Sequence, residues 1–254
     1  MRLTVLGRWS PYPPAEGACP GYLVEAAGQR ILIDCGTGVL ANLQRVASVF
    51  DLSALVITHL HPDHVLDLFV LKQALEFGRL PEVAPPLRFF GPPEAMNTLP
   101  AWMGEESGAA FRERFNFLPI VGGTAARIGP LVLRFGATAH TVPCFAVRVE
   151  AEGRVLTYSA DTGPSPVVGA LADGADLFLC ENTLPPGEEG RAVEVGHLSA
   201  RQAAQIAAQA DARRLLLTHF FTPAGDYAEE AKAAAAKEFG GQILIAKELH
   251  TYEV

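Results

Sequence analysis

The run "ALVITHLHPDHVLDLFVLKQ", Ala54 to Gln73, places His59, His61, Asp63 and His64 within six positions, directly behind an apolar stretch. The chain has only seven histidines, so three in one short segment ask for a chemical explanation. Imidazole nitrogen and carboxylate oxygen are zinc ligands, with bond lengths of about 2.0–2.2 Å. Residues two apart in extended backbone point to one side, so His59 and His61 can aim at a common point. Pro62 biases His61 away from helical backbone. Asp63 falls where the following helix begins and His64 opens it, so this pair can face a second point beside the first.

Other apolar runs end in the same kind of residue. "FGATA" leads to His140, "LTYSA" to Asp161 and "LLLT" to His219. The C-terminal ends of strands in a layered α/β protein converge on one edge, where side chains from distant segments meet. The residues therefore sort into two sets. His59, His61 and His140 would bind one ion, Asp63, His64 and His219 a second, and Asp161 would bridge them. Two ions about 3.5–4 Å apart would share a hydroxide. His250, in "KELHTYEV", has no motif around it and reads as structural. The apolar positions Val65, Leu68, Phe69, Leu71 and Leu75 recur at helical spacing and read as core packing.

Short strand-like runs recur from "RLTVLG" to "QILIA", several joined by tight-turn signals such as Ala27-Gly28 and Glu152-Gly153. Helical periodicity covers Val39 to Val46, Val65 to Phe77, Ser199 to Ala210 and Ala228 to Phe239. The last two helices alternate with strands as βαβ units do. The expectation is one α/β domain over residues 1–254, with two sheets flanked by helices. At 254 residues and 49% hydrophobic content the chain can bury a sizeable core. No apolar run reaches the roughly 18 residues of a membrane span. The N-terminal apolar run is too short for a signal peptide, so a cytoplasmic protein is expected. Cys19, Cys35, Cys144 and Cys180 lack C-x-x-C spacing and read as isolated thiols. A net charge of −8 argues against general affinity for nucleic acid.

"THLHPDH", together with Asp161 and His219, resembles the metallo-β-lactamase superfamily. The resemblance extends over nearly the whole chain through "GYLVEAAGQRILIDCGTGV", "YSADTG" and "LLLTHF". It implies an αββα sandwich of two mixed sheets holding one or two metals at its edge. It also implies that Asp34, in "IDCG", lies beneath the site and supports the ligands. Aspartate at position 161 is similar to the dinuclear hydrolases, and H-x-H at 59 to 61 favours zinc hydrolysis over di-iron redox chemistry. Zinc also leads manganese and iron in the general affinity order, although cellular supply can override it.

The segment from "ADLFLCENTLPPG" through "GHLSARQ" to "LLLTHF" resembles ribonuclease Z and its shorter, YhfI-like relatives. There the residue matching His197 lies at the metal centre and can serve the leaving group. In the mechanism expected for this chain, Asp63 orients the attacking hydroxide while ligating metal. Two departures matter. Cys180-Glu181-Asn182-Thr183 stands where ribonuclease Z has His-Glu-Ala-Thr, and the interval between His140 and Asp161 holds a short hairpin with no room for a tRNA-clamping arm. The expected function is a dinuclear zinc phosphodiesterase on a small phosphodiester. Transfer-RNA 3′ processing and thioester hydrolysis of the glyoxalase II type are the alternatives. The expected partners are the small substrate and, by resemblance, a second copy in a homodimer, with no membrane.

Overall fold

The structure is a computed structural model describing residues 1–78 and 85–254. The first strands are β1 (Arg2–Gly7), β2 (Trp9–Ser10), β3 (Gly21–Ala26), β4 (Gln29–Ile33), β5 (Ala54–Val56), β6 (Leu87–Gly91) and β7 (Phe115–Pro119). Helices α1 (Val39–Val46), α2 (Pro62–Phe77), α3 (Ala95–Ala101) and α4 (Glu105–Arg114) lie among them. Next come β8 (Ala125–Ile128), β9 (Leu131–Ala137), β10 (Phe145–Ala151), β11 (Arg154–Tyr158) and β12 (Leu177–Glu181), with α5 (Pro166–Ala172) before β12. The chain continues through α6 (Ala192–Val195), α7 (Ala200–Gln209), β13 (Arg214–Thr218), β14 (Phe220–Phe221), α8 (Ala228–Ala235), β15 (Gln242–Ile245) and β16 (Thr251–Glu253).

Two seven-stranded sheets form, in the orders β16-β1-β3-β4-β5-β6-β7 and β15-β13-β12-β11-β10-β9-β8. Each is half antiparallel and half parallel, so both are mixed as expected. Alternation along the strands builds the layers. In β4, Ile31 and Ile33 enter the core between the sheets, while Leu32 faces the layer of α1 and α2. In β13, Leu216 faces the other sheet and Leu215 and Leu217 face α7 and α8. Strands covered on both faces read as continuous apolar runs, which is why "RILI" and "LLL" carry no polar alternation. The result is the expected four-layer αββα sandwich. No helix among the described residues is long and apolar enough to cross a membrane.

The expected turns form: Ala27 and Gly28 both have positive φ, as do Glu152 and Gly153, the signature of two-residue hairpins. The βαβ expectation also holds, with β12 and β13 parallel around α7 and β13 and β15 parallel around α8. Helix α7 starts on a capping box between Ser199 and Gln202. Helix α2 begins one turn earlier than periodicity indicates. Pro62 takes its first position with extended His61 as cap, because a proline there loses no hydrogen bond. Helices α3, α4 and α5 lack a sequence signal, with Pro100 inside α3, Gly104 capping α4 and Gly108 within it, and Gly169 within seven-residue α5.

The exit of β4 is pressed against the first turn of α2. The Cys35 amide donates to the His64 carbonyl at 2.9 Å. A Cβ at Gly36 would lie 1.8 Å from the Asp63 carbonyl oxygen and 2.7 Å from Cys19 Cβ. Gly36→Ala must therefore push α2 away from β4. The expected cost is about 1–3 kcal/mol, several degrees of melting temperature for a chain of this size. An unchanged thermal midpoint would show that the contact is not tight.

Candidate metal centre

The loops leaving β4, β5, β9, β11 and β13 meet at one edge of the sandwich. Asp34, which follows β4, is completely buried and serves as a hub. Its carboxylate accepts from the Thr58 amide at 2.8 Å, the Thr58 hydroxyl at 3.0 Å and His64 Nδ1 at 2.9 Å. With the Thr58 proton committed to Asp34, Thr58 Oγ1 accepts from His59 Nδ1 at 3.1 Å. Across the site, His140 Nδ1 donates to the Gly196 carbonyl at 2.8 Å. His219 Nδ1 donates to Thr183 Oγ1 at 2.8 Å, whose own proton goes to Glu181 Oε2 at 2.6 Å. Four imidazoles thus have their Nδ1 protons fixed outward, leaving each Nε2 turned into the site.

Those nitrogens converge. His61 Nδ1 lies 3.1 Å from His59 Nε2 and 3.2 Å from His140 Nε2. His64 Nε2 and His219 Nε2 are 3.1 Å apart. Asp161 lies between the two groups, with Oδ2 3.5 Å from His59 Nε2 and Oδ1 3.2 Å from His219 Nε2 and 3.5 Å from His64 Nε2. Asp63 Oδ2 is 3.8 Å from both His64 Nε2 and His219 Nε2, and Ser10 Oγ donates to it at 2.9 Å. The donor atoms of His59, His61, His140 and Asp161 lie within 4.8 Å of one another, as do those of Asp63, His64 and His219. The fold thus brings together the residues of each set named from the sequence.

The chemistry of these atoms fits divalent cations. His64 and His219 have both Nδ1 protons spent, so their facing Nε2 atoms have nothing to share except a bound cation or an added proton. Asp161 Oδ1 is buried and has no hydrogen-bond partner, an arrangement that costs free energy unless a cation meets it. The titration behaviour agrees. Burial opposes a charged His64, but Asp161, Asp34 and Asp63 outweigh it and hold its pKa well above the ordinary range. Burial, reinforced by the neighbouring His64 charge, pushes His59 well below it. Burial would raise the Asp161 pKa, yet His219, His64 and His59 together hold it well down. The cluster calls for positive charge at its centre.

At its rim His197 Nδ1 donates to Glu181 Oε1 at 2.9 Å. Burial works against protonation, and the Glu181 carboxylate overrides it, pushing the His197 pKa up to about 9. His197 also lies close enough to share an ion with Asp161 and His219, but a nitrogen kept protonated is a poor ligand. Glu181 was not assigned a role from sequence. It ends β12 within "LFLCE", a run buried at every position, so burial alone does not single it out. Cys180, where ribonuclease Z carries histidine, packs in the apolar layer against α7. Strand alternation puts Cys180 and Glu181 on opposite faces. Ser10 and Thr183 were likewise missed, each a lone hydroxyl without a motif. His250 is exposed at the other end of the chain, its ring 4.6 Å from that of Tyr252.

Comparison with known proteins follows the same lines. The model of the beta-lactamase superfamily domain matches residues 29–220. The chain is 29% identical over 259 residues to the probable metallo-hydrolase YhfI of Bacillus subtilis, covering both proteins completely. It is 32% identical over 282 residues to a ribonuclease Z of Mycobacterium marinum, covering 100% of this chain and 99% of that protein. The crystal structure of the metallo-beta-lactamase fold protein YhfI from Bacillus subtilis matches with a TM-score of 0.87 at 26% identity, covering 100% of this chain and 98% of that one. With the domain match running from β4 through β13 and a relative 32% identical end to end, the chain belongs to the beta-lactamase superfamily.

Proposed function

We propose that this metal-dependent hydrolase is a phosphodiesterase for small phosphodiesters. It would hold two Zn²⁺ ions, one on His59, His61, His140 and Asp161 and the other on Asp63, His64, His219 and Asp161. When bound, such ions acidify water and offset the charge of phosphoryl oxygens. The chain's own groups do the rest. Asp63, steadied by Ser10, accepts a hydrogen bond from the attacking water and sets its direction. His197, held as imidazolium by Glu181, gives its Nε2 proton to the departing oxygen. Asp34 and Thr183 keep the imidazoles aimed. This reading takes residues 1–254 as one domain in a cytoplasmic protein, with a homodimer as its assembly.

The observation that carries the reading is the Glu181–His197 pair. An acid that stays charged at neutral pH is worth most when the leaving group is a strongly basic alkoxide. A thiolate, whose conjugate acid has a pKa of about 8.5, departs without that help, so the pair favours an oxygen ester over a thioester. Cationic character at the site suits an anionic phosphoryl group. The identity to ribonuclease Z supports the second reading, tRNA 3′ processing. Against it stand the net charge of −8 and the β10–β11 hairpin, which turns at Glu152–Gly153 with no arm between His140 and Asp161.

Several outcomes test this. The protein should cleave bis-p-nitrophenyl phosphate faster than a glutathione thioester; the reverse order contradicts the substrate class, and trimming of a precursor tRNA would favour the second reading. His197→Ala should slow cleavage of a cyclic nucleotide, an alkoxide leaving group, by about 10²–10⁴-fold, and slow p-nitrophenolate release far less. Equal losses on both substrates would remove His197 as the acid. The pH dependence follows from the same pair. The imidazolium form is lost as pH rises through the elevated pKa, so activity on the cyclic nucleotide falls on the alkaline side. Glu181→Gln removes the charge that raises that pKa, so the alkaline limb should move to lower pH. An unmoved limb would assign it to another group.

A further inference from the structure

A small cavity opens beside His197, with a volume of about 160 Å³. Ser10, Thr183 and His197 form its wall on the side of the histidine cluster. Its remaining surface is chiefly the apolar side chains of Pro11, Leu184, Pro185, Val195 and Phe221. These come from four separate places: the exit of β2, the exit of β12, the end of α6 and β14. The parallel pairing of β2 with β14 sets Ser10 opposite Phe221, so the strand pair that steadies Asp63 also builds the cavity. A wider groove of about 800 Å³ runs between α5 and α7, but no residue of the cluster lines it.

Position assigns the cavity to one side of the reaction. His197 Nδ1 is committed to Glu181, so its proton for the departing oxygen is on Nε2, and the group attached to that oxygen must sit next to His197. The cavity is the space there. Its lining bears one permanent cation, Arg191, and that is paired with Glu188 at 2.6 Å. A leaving group carrying a further phosphate would find no free counter-charge apart from His197 itself. Size narrows the choice again. An apolar cavity of about 150 Å³ accepts a single benzene ring, so the lined space matches one unfused ring better than a fused bicycle.

We propose that this cavity is a leaving-group subsite that takes one unfused planar ring carried by the departing alcohol. The proposal rests on the phosphodiesterase reading and gives that reading a substrate class: phosphodiesters with a compact, uncharged, ring-bearing alcohol. Pro11, Pro185, Val195 and Phe221 supply apolar contact to the ring, and Thr183 and Ser10 bound it on the polar side.

The test is calorimetric binding of phenyl-, methyl- and 1-naphthylphosphonate to the zinc-loaded protein, run alongside cleavage of bis-p-nitrophenyl phosphate. Phenylphosphonate should bind about tenfold more tightly than the other two, a difference of about 1.4 kcal/mol. Val195→Trp fills the cavity and should abolish that preference. Phe221→Ala enlarges it and should bring 1-naphthylphosphonate level with phenylphosphonate, which keeps the test sound if the larger side chain prevents folding. Equal binding of phenyl- and methylphosphonate by the unaltered protein, with cleavage intact, overturns the subsite and leaves the phosphodiesterase reading standing. A phenyl preference without any phosphodiester cleavage overturns the leaving-group assignment together with that reading.

Discussion

Protein interiors do not ordinarily bring two imidazole nitrogens face to face, yet His64 Nε2 and His219 Nε2 meet at 3.1 Å with both of their Nδ1 protons directed elsewhere. Most of the architecture at this edge follows from maintaining that arrangement. Each sheet supplies a buried carboxylate that turns histidines inward. Asp34, at the end of β4, acts on His64 directly and on His59 through Thr58. Glu181, at the end of β12, acts on His197 directly and on His219 through Thr183. A carboxylate buried without such donors would cost several kcal/mol. Here Glu181 accepts from the Thr162 and Thr183 amides as well as from side chains.

Backbone geometry shows a related cost. Asp34, Ala160 and His219 all have positive φ, at 57°, 50° and 61°. Such conformations cost about 1–3 kcal/mol where the side chain does not suit them, and Asp and His tolerate them better than most. All three lie where a strand stops and its chain bends to bring a polar group across the sheet edge. The apolar layers on both faces of each sheet offset this strain. A rigid core of Ile31, Leu32, Ile33, Leu215, Leu216 and Leu217 fixes the strands whose ends carry the cluster.

The His/Asp cluster was legible because its residue types are rare and compactly spaced. Three histidines and an aspartate after one apolar run limit the chemistry to a few choices, and His140, Asp161 and His219 stand at equivalent exits. The hairpins and βαβ units were legible for the same local reason: turn chemistry and apolar alternation act over a few residues. The supporting groups were not. Glu181 belongs to a strand that is buried throughout, Ser10 to a proline-rich stretch that reads as a loop, and the Gly196 carbonyl is backbone that any sequence provides. Their roles exist only because β2 pairs with β14 and β12 lies beside β13, contacts between segments far apart in the chain. Helix α4 was missed because what holds it is Phe111 packed against Phe89 and Phe115 rather than periodicity of its own.

The account stands or falls on whether the converging nitrogens and carboxylates serve cations. The direct measurement is the zinc content of protein stripped by chelator and reloaded by equilibrium dialysis, for the natural chain and for Asp161→Asn. Two equivalents of zinc in the natural chain, with affinity lowered at both sites by the one substitution, is the expected result, because Asp161 reaches both groups. One equivalent or none, or two equivalents indifferent to Asp161, would contradict it.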